Sequence, residues 1–193
     1  MVEQNGLEFT RIVDLGLSIS LLEAGSIKDI NGVVPYVAPE LFNSSDSYSQ
    51  ATDVYAFGII MWGISSGEDP FYNVAHDVIL AKDICDGLRP EITKDTPPFY
   101  KDLIEKCWDA DPKRRPTAEQ IYQLIYMWYE PTQEIQDQID KAEETRQRNI
   151  GMKKDNTQHT GAIYTSRSLK KITRGNKLYY ITRYETIINL FLF

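Results

Sequence analysis

DLGLSISLLEAGSIKDINGVVPYVAPE, residues 14–40, decides how this chain is read. It follows the apolar run FTRIV (9–13) and ends at Ala38-Pro39-Glu40. Three serines, three glycines and no helical or strand period mark it as a long loop. Loops of this length inside a compact domain are usually functional. Asp14 offers hard oxygen ligands of the kind Mg²⁺ takes, and Gly16 lets the backbone turn sharply behind it. Pro35 and Pro39 restrict φ and hold the residues before them extended.

Outward from this loop, the same chain carries TDVYAFGIIMW (52–62), SGEDPF (66–71), GLRPEI (87–92), KCW (106–108) and DPKRRP (111–116). Each is weak alone. Together, in this order and spacing, they resemble the C-terminal lobe of a eukaryotic protein kinase domain, nearest the tyrosine-kinase-like group, over about residues 14–129. The loop then resembles the activation segment, with DLG in place of DFG and with the closing APE. The resemblance implies a mainly α fold: a helical lobe, a short β-hairpin at the N-terminus and a partly disordered tail. It implies ATP-dependent phosphorylation of protein hydroxyls in signalling, with Mg²⁺ and ATP as cofactors of the complete domain.

The resemblance also assigns residues. Asp14 is the Mg²⁺ ligand, and Leu15 stands where Phe is usual. Gly16 is structural. Glu40 pairs with Arg115 in a buried ion pair; from the residues alone, Glu40 reads as the first acidic residue of a helix. Asp53 anchors the catalytic loop from below, or caps the helix that begins there. Ser18, Ser20 and Ser26 are candidate phosphorylation sites. Val33 lacks the hydroxyl that many serine/threonine kinases place at this position. No HRD Asp, no second metal-binding Asn and no Gly-rich loop occur in the 193 residues, so no catalytic base is assigned. The chain by itself is expected to be inactive and to bind Mg-ATP weakly. Met1 falls at the edge of the family's catalytic loop, so the transcript is expected to extend upstream or to give a poorly soluble fragment. The alternative reading is a non-catalytic protein-binding module, a pseudokinase-like fragment.

Three segments are expected: 1–129 as the partial kinase domain, 130–149 as a charged helix or linker, and 150–193 as a basic, disordered tail. Asn5-Gly6 is a hairpin turn signal within 1–13. The apolar run 52–62 reads as a buried helix or a buried strand by period, and the resemblance implies a helix. Helices are further expected over 74–86 with Gly87 as cap, 98–108, and from the Thr117–Gln120 capping box to Tyr129. Trp108, Met127 and Trp128 read as core. AIYTSR (162–167) resembles a short tail motif of kinase-like proteins. The apolar end, LYYITRYETIINLFLF (178–193), is β-prone and too short to span a bilayer. It reads either as an altered 3′ end or as a segment for a partner's groove.

Charge is unevenly spread. Residues 1–149 carry 13 Lys and Arg against 26 Asp and Glu, whereas 150–193 carry 8 against 2. An acidic body argues against nucleic-acid binding. Cys85 and Cys107 read as buried thiols of a reducing compartment, and no secretory or membrane-spanning run is visible. The expected setting is cytoplasmic, with protein substrates or docking partners. Gly63-Ile64-Ser65-Ser66-Gly67 matches the hydrolase pattern G-x-S-x-G. That chemistry needs a strand before the Ser and a helix directly after it, whereas a structure-breaking Gly-Glu-Asp-Pro follows.

Overall fold

The computed structural model describes residues 18, 30–42, 48–150 and 157–169. Five α-helices carry the described fold: α1 (Gln50–Ser66), α2 (Val78–Cys85), α3 (Pro98–Cys107), α4 (Ala118–Tyr129) and α5 (Gln133–Asn149). Two short strands, β1 (Ile30–Gly32) and β2 (Arg167–Leu169), pair antiparallel. The fold is mainly α, as the resemblance implies. Among the described residues no helix is long and apolar enough to cross a membrane.

Helix α1 is the central post. The Thr52 hydroxyl accepts the Ser49 N–H (3.3 Å), half of a capping box that sets the start. Gly67, left-handed at φ 68° and ψ 22°, closes the end by donating to the Gly63 carbonyl at 2.9 Å. Val54, Tyr55, Ile59, Met61 and Trp62 are all buried, so α1 is covered on more than one face. It packs on α3 through Leu103, Ile104 and Cys107. The contact depends on Gly58, because a Cβ there would sit 2.8 Å from the Cys107 Cβ. Buried polar groups on this core find backbone partners. The Trp62 indole donates to the Glu91 carbonyl (2.8 Å) and the Tyr100 hydroxyl to the Met61 carbonyl (3.2 Å).

The other helices begin at local signals. Asp77 caps α2 by accepting from Ile79 (2.9 Å) and Leu80 (3.2 Å). Helix α2 therefore starts at Val78, later than the expected 74, and residues 74–76 remain loop. Thr117 and Gln120 form the capping box of α4. Helix α4 buries Ile121, with Leu124 and Trp128 half-buried, a stripe at i, i+3 and i+7. Met127 lies off that stripe and is exposed, which corrects its reading as core. Helix α5 occupies the charged 130–149 segment. It docks on α3 where the Phe99 N–H donates to Gln138 Oε1 (3.0 Å), and Arg146 reaches Asp95 at 3.5 Å.

One expectation is revised by the strands. The hairpin expected in 1–13 lies outside the described residues; the strand pair that is described joins β1 of the long loop to β2 of the tail. The tail is therefore not uniformly the disordered segment expected for 150–193. Residues 157–169 pack on the lobe, with Ala162, Arg167 and Leu169 buried. The physical reason is the edge of β1, whose backbone groups need a partner that side-chain patterning does not advertise.

Candidate functional site

The described part of the long loop is built from local turns and buried side chains. After β1, Val34–Tyr36 and Pro39–Phe42 form single 3-10 turns, each closed locally: Tyr36 N–H donates to Val33 (2.9 Å) and Leu41 N–H to Ala38 (3.0 Å). Val34, Pro35, Val37, Ala38, Pro39, Leu41 and Phe42 are buried, so the loop is anchored by its own apolar side chains. The Tyr36 hydroxyl is pushed up to about 12, by burial and then by the nearby Asp69 carboxylate.

Glu40 ties this loop to the far end of the lobe. Arg115 donates to both of its carboxylate oxygens, at 2.7 and 2.8 Å, in a bidentate pair. The Arg115 side chain is 0% exposed and that of Glu40 11%. Arg115 also donates to the Ala51 carbonyl (2.8 Å) and, through Nε, to the Asp109 carbonyl (2.9 Å). One guanidinium thus fastens the loop, the start of α1 and the turn after α3. Such saturation is what a buried charge needs.

Tyr55 lies beneath this pair. The Arg115 and Arg89 guanidinium carbons stand 5.2 and 5.1 Å from its ring centroid. Arg89 is itself held by the carbonyls of Trp108 (3.0 Å), Ile84 (2.9 Å) and Leu88 (2.7 Å). Burial pushes the Tyr55 hydroxyl up to about 12, and among the described residues the hydroxyl has no hydrogen-bond partner. An unmatched buried polar group costs about 1–3 kcal/mol. Tyr55→Phe keeps the ring and removes that group, so the thermal midpoint is expected to stay level or rise. A fall equivalent to more than about 1 kcal/mol would mean that the hydroxyl has a stabilising partner after all.

A second cluster surrounds His76, which is 2% exposed. Its Nε2 faces the Phe71 carbonyl (3.2 Å), and its Nδ1 faces both the Ile163 carbonyl (3.0 Å) and the Ile163 N–H (3.2 Å). A neutral ring has one N–H, so it donates to one of the two carbonyls; Nδ1 accepts the Ile163 N–H in the tautomer that protonates Nε2. The Tyr164 ring meets His76 edge-on at 4.7 Å, and the Arg167 guanidinium donates to the His76 carbonyl. Burial holds the imidazole below its ordinary value, and Arg167 adds to this, while the carbonyls of Ile163, Phe71 and Pro70 oppose it. Asp77, next along the chain, faces Arg167 as its countercharge. The sign follows: as pH falls through about 6.5, the unfolded His76 binds a proton that the folded one resists. Stability contributed by the neutral ring is full above that pH and declines below it. Protection of the Ile163 amide from hydrogen exchange should therefore weaken between pH 7.5 and 5.5. His76→Asn should flatten that dependence; an unchanged slope in the variant would place its origin elsewhere.

The remaining expected residues are placed as follows. Asp14, Gly16, Ser20 and Ser26 lie outside the described residues. Ser18 is exposed. Asp53 occupies the first turn of α1 and is exposed. Val33 is half-buried at the head of the first turn. The G-x-S-x-G sequence lies in the last turn of α1, where the Ser65 hydroxyl donates back to the Trp62 carbonyl (3.0 Å). That is the reverse of a strand-to-helix elbow, and the hydrolase arrangement is not formed. Sequence reading missed Tyr55, Arg89, His76, Tyr164 and Arg167. The GLRPEI and AIYTSR motifs were the available pointers to Arg89 and to the two tail residues.

A family model described as protein tyrosine and serine/threonine kinase matches residues 1–125. The chain belongs to that family. Among its relatives, the probable serine/threonine-protein kinase pats1 of Dictyostelium discoideum is 32% identical over 120 residues, covering 62% of this chain and 4% of that protein. The probable serine/threonine-protein kinase roco11 of the same organism is 32% identical over 131 residues, covering 66% and 9%. Serine/threonine-protein kinase STY17 of Arabidopsis thaliana is 30% identical over 118 residues, covering 61% and 20%. The chain thus spans only a small part of each of these kinases. A solved structure described as the cryo-EM structure of the AtMLKL3 tetramer aligns at 31% identity and a TM-score of 0.43, over 47% of this chain and 17% of that one. The matched residues of the family model stop short of α5 and of the tail segment on β1.

Proposed function

We propose that this chain is the protein-docking lobe of a kinase catalytic domain. The loop Val33–Glu40 receives a protein partner, and phosphoryl transfer from ATP to a protein hydroxyl belongs to the domain completed by a Gly-rich lobe and an HRD loop. The observation that carries this reading is the bidentate Glu40–Arg115 pair, which fixes the loop against α1 and the turn after α3. A loop held in one conformation spends less ordering entropy on capture of a partner.

Among the described residues no group of His, Cys, Asp and Glu could hold a metal ion. Asp14, the carboxylate that the resemblance gives to Mg²⁺, lies outside them. A second reading, a non-catalytic binding module, is favoured by one observation: the edge of β1 beside the docking loop is already paired with β2.

Calorimetric titration of the 193-residue chain with Mg-ATP tests the proposal. The expected result is no micromolar, Mg-dependent binding; such binding would sink the docking-lobe reading in favour of a self-sufficient kinase. Completed with the two elements named above, the protein is expected to phosphorylate a generic protein acceptor, and Asp14→Asn is expected to abolish most of that activity. A completed protein that folds and transfers nothing would instead support the binding module.

A further inference from the structure

The segment 157–169 lies on the lobe as a ligand lies in a site. We propose that the edge of β1 together with the loop Asp69–Asp77 forms a docking groove for an extended peptide, and that the chain's own residues His159–Leu169 fill it in cis as a removable occupant. The inference does not depend on phosphoryl transfer; it concerns a peptide-binding site beyond the residues that the kinase family model matches.

Recognition combines backbone pairing with alternating side chains, the pattern of strand addition to a sheet edge. Residue pairs Ile30–Leu169, Asn31–Ser168 and Gly32–Arg167 form the ladder. Arg167 and Leu169 turn inward and Ser168 outward. The Asn31 N–H is taken by the Tyr48 hydroxyl (3.2 Å), so β1 offers its partner the other edge. Upstream, the His159 N–H donates to the Tyr72 carbonyl (2.8 Å), the His76 N–H to the Gly161 carbonyl (2.8 Å), and the Tyr164 hydroxyl to the Pro70 carbonyl (3.1 Å).

The groove also has steric selectivity. A Cβ on Gly161 would meet the Ala75 Cβ at 2.9 Å and the Ala75 Cα at 3.2 Å. The ligand must therefore carry Gly there, an aromatic hydroxyl three residues on, Arg three beyond that and an aliphatic residue two further. Those positions are Gly161, Tyr164, Arg167 and Leu169.

The same contacts make the occupant removable. The apolar surface it seals is concentrated at one end: Leu169 joins the core beside Ile30 and Ala162 is buried, but Ile163 is 38% exposed. Arg167 is buried facing Asp77, and among the described residues its Nε has no hydrogen-bond partner. A weak site of this kind stays filled because residues 151–156 tether the ligand, and short linkers supply effective concentrations in the millimolar range.

The test uses the full chain and a fluorescein-labelled synthetic peptide, TQHTGAIYTSRSL, identical to residues 157–169. Gly161→Val in the chain evicts the cis segment without altering the groove. The peptide is expected to bind this variant about tenfold more tightly than the unaltered chain, because the tethered competitor is gone. A peptide bearing Gly161→Val should bind neither chain. Equal affinity for both chains, no binding to the variant, or undiminished binding of the altered peptide would overturn the proposal. Hydrogen exchange of the unaltered chain gives an independent reading. The His76 and His159 amides, bonded across the groove, should exchange at least about tenfold faster than the Ile59 amide in α1, since the segment opens on its own. Exchange at the Ile59 rate would mean that it leaves only when the lobe unfolds. That result, or a Gly161→Val chain that cannot fold, makes the segment an integral part of the core and ends the proposal.

Discussion

Glu40→Ala and Arg115→Ala are each expected to destabilise the lobe by about 3–5 kcal/mol, the usual cost of stranding one partner of a buried ion pair. The geometry sets that scale. Removing Glu40 leaves a fully buried guanidinium with carbonyl partners but no countercharge. Removing Arg115 strands a nearly buried carboxylate and also leaves the Ala51 and Asp109 carbonyls without this donor. Glu143→Ala is the control. Its partner Arg146 lies 3.7 Å away and both side chains are about half exposed. Pairs of that kind are worth roughly 0–1 kcal/mol. Urea midpoints of the three variants decide the matter, and equal midpoints would reject the staple. In the double variant the two losses should fall well short of adding, because the stranded charge disappears with its partner.

Two glycines of α1 should respond in opposite directions. Gly58→Val is expected to cost about 1–3 kcal/mol or more through overpacking. Its first methyl-sized atom would approach not only the Cys107 Cβ at 2.8 Å but also the Trp108 backbone nitrogen at 3.3 Å. Backbone cannot step aside by changing rotamer, so α1 and α3 would have to separate, loosening Ile59 and Ile104 with them. At Gly63, by contrast, a Cβ meets only the Glu68 carbonyl oxygen, at an ordinary 3.6 Å. Gly63→Ala should therefore gain up to about 1 kcal/mol from helix propensity. Chemical denaturation of both variants checks this; shifts in the same direction would mean that the helix crossing is not set at Gly58.

The helices were legible to different degrees. The Thr117–Gln120 box before α4 acts within one turn of chain, whereas the apolar run 52–62 of α1 fits a buried strand as well as a helix, and only the resemblance decides between them. The Glu40–Arg115 pair joins residues 75 apart in sequence, and nothing in the spacing of charges singles it out. It was visible only through the resemblance. The β1–β2 ladder was not visible at all. Main-chain bonds between three-residue strands leave almost no side-chain signature, and a basic, Gly- and Thr-containing tail has the composition of a linker. Arg167 misleads for the same reason: an arginine reads as surface, and its burial depends on a His76 carbonyl far away in the chain. The start of α2 failed more narrowly. Val74 fits an amphipathic face, but the Asp77 carboxylate captures the first free N–H groups and begins the helix there.

The two cysteines stand at different depths. Cys85 donates its thiol to the Pro39 carbonyl (3.5 Å) under the docking loop and is pushed up to about 11, by burial and then by Asp86. Cys107 lies in the α1–α3 crossing and is pushed up to about 12 by burial. Only the thiolate attacks an alkylating reagent, so both react slowly near neutral pH, and Cys107, fully buried, reacts only when the helices part. Cys85 is half-buried in the closed lobe, so its faster modification reports the loop edge and Cys107 the crossing. Followed by mass spectrometry in one reaction, the pair is a built-in two-channel clock that separates local breathing from global collapse.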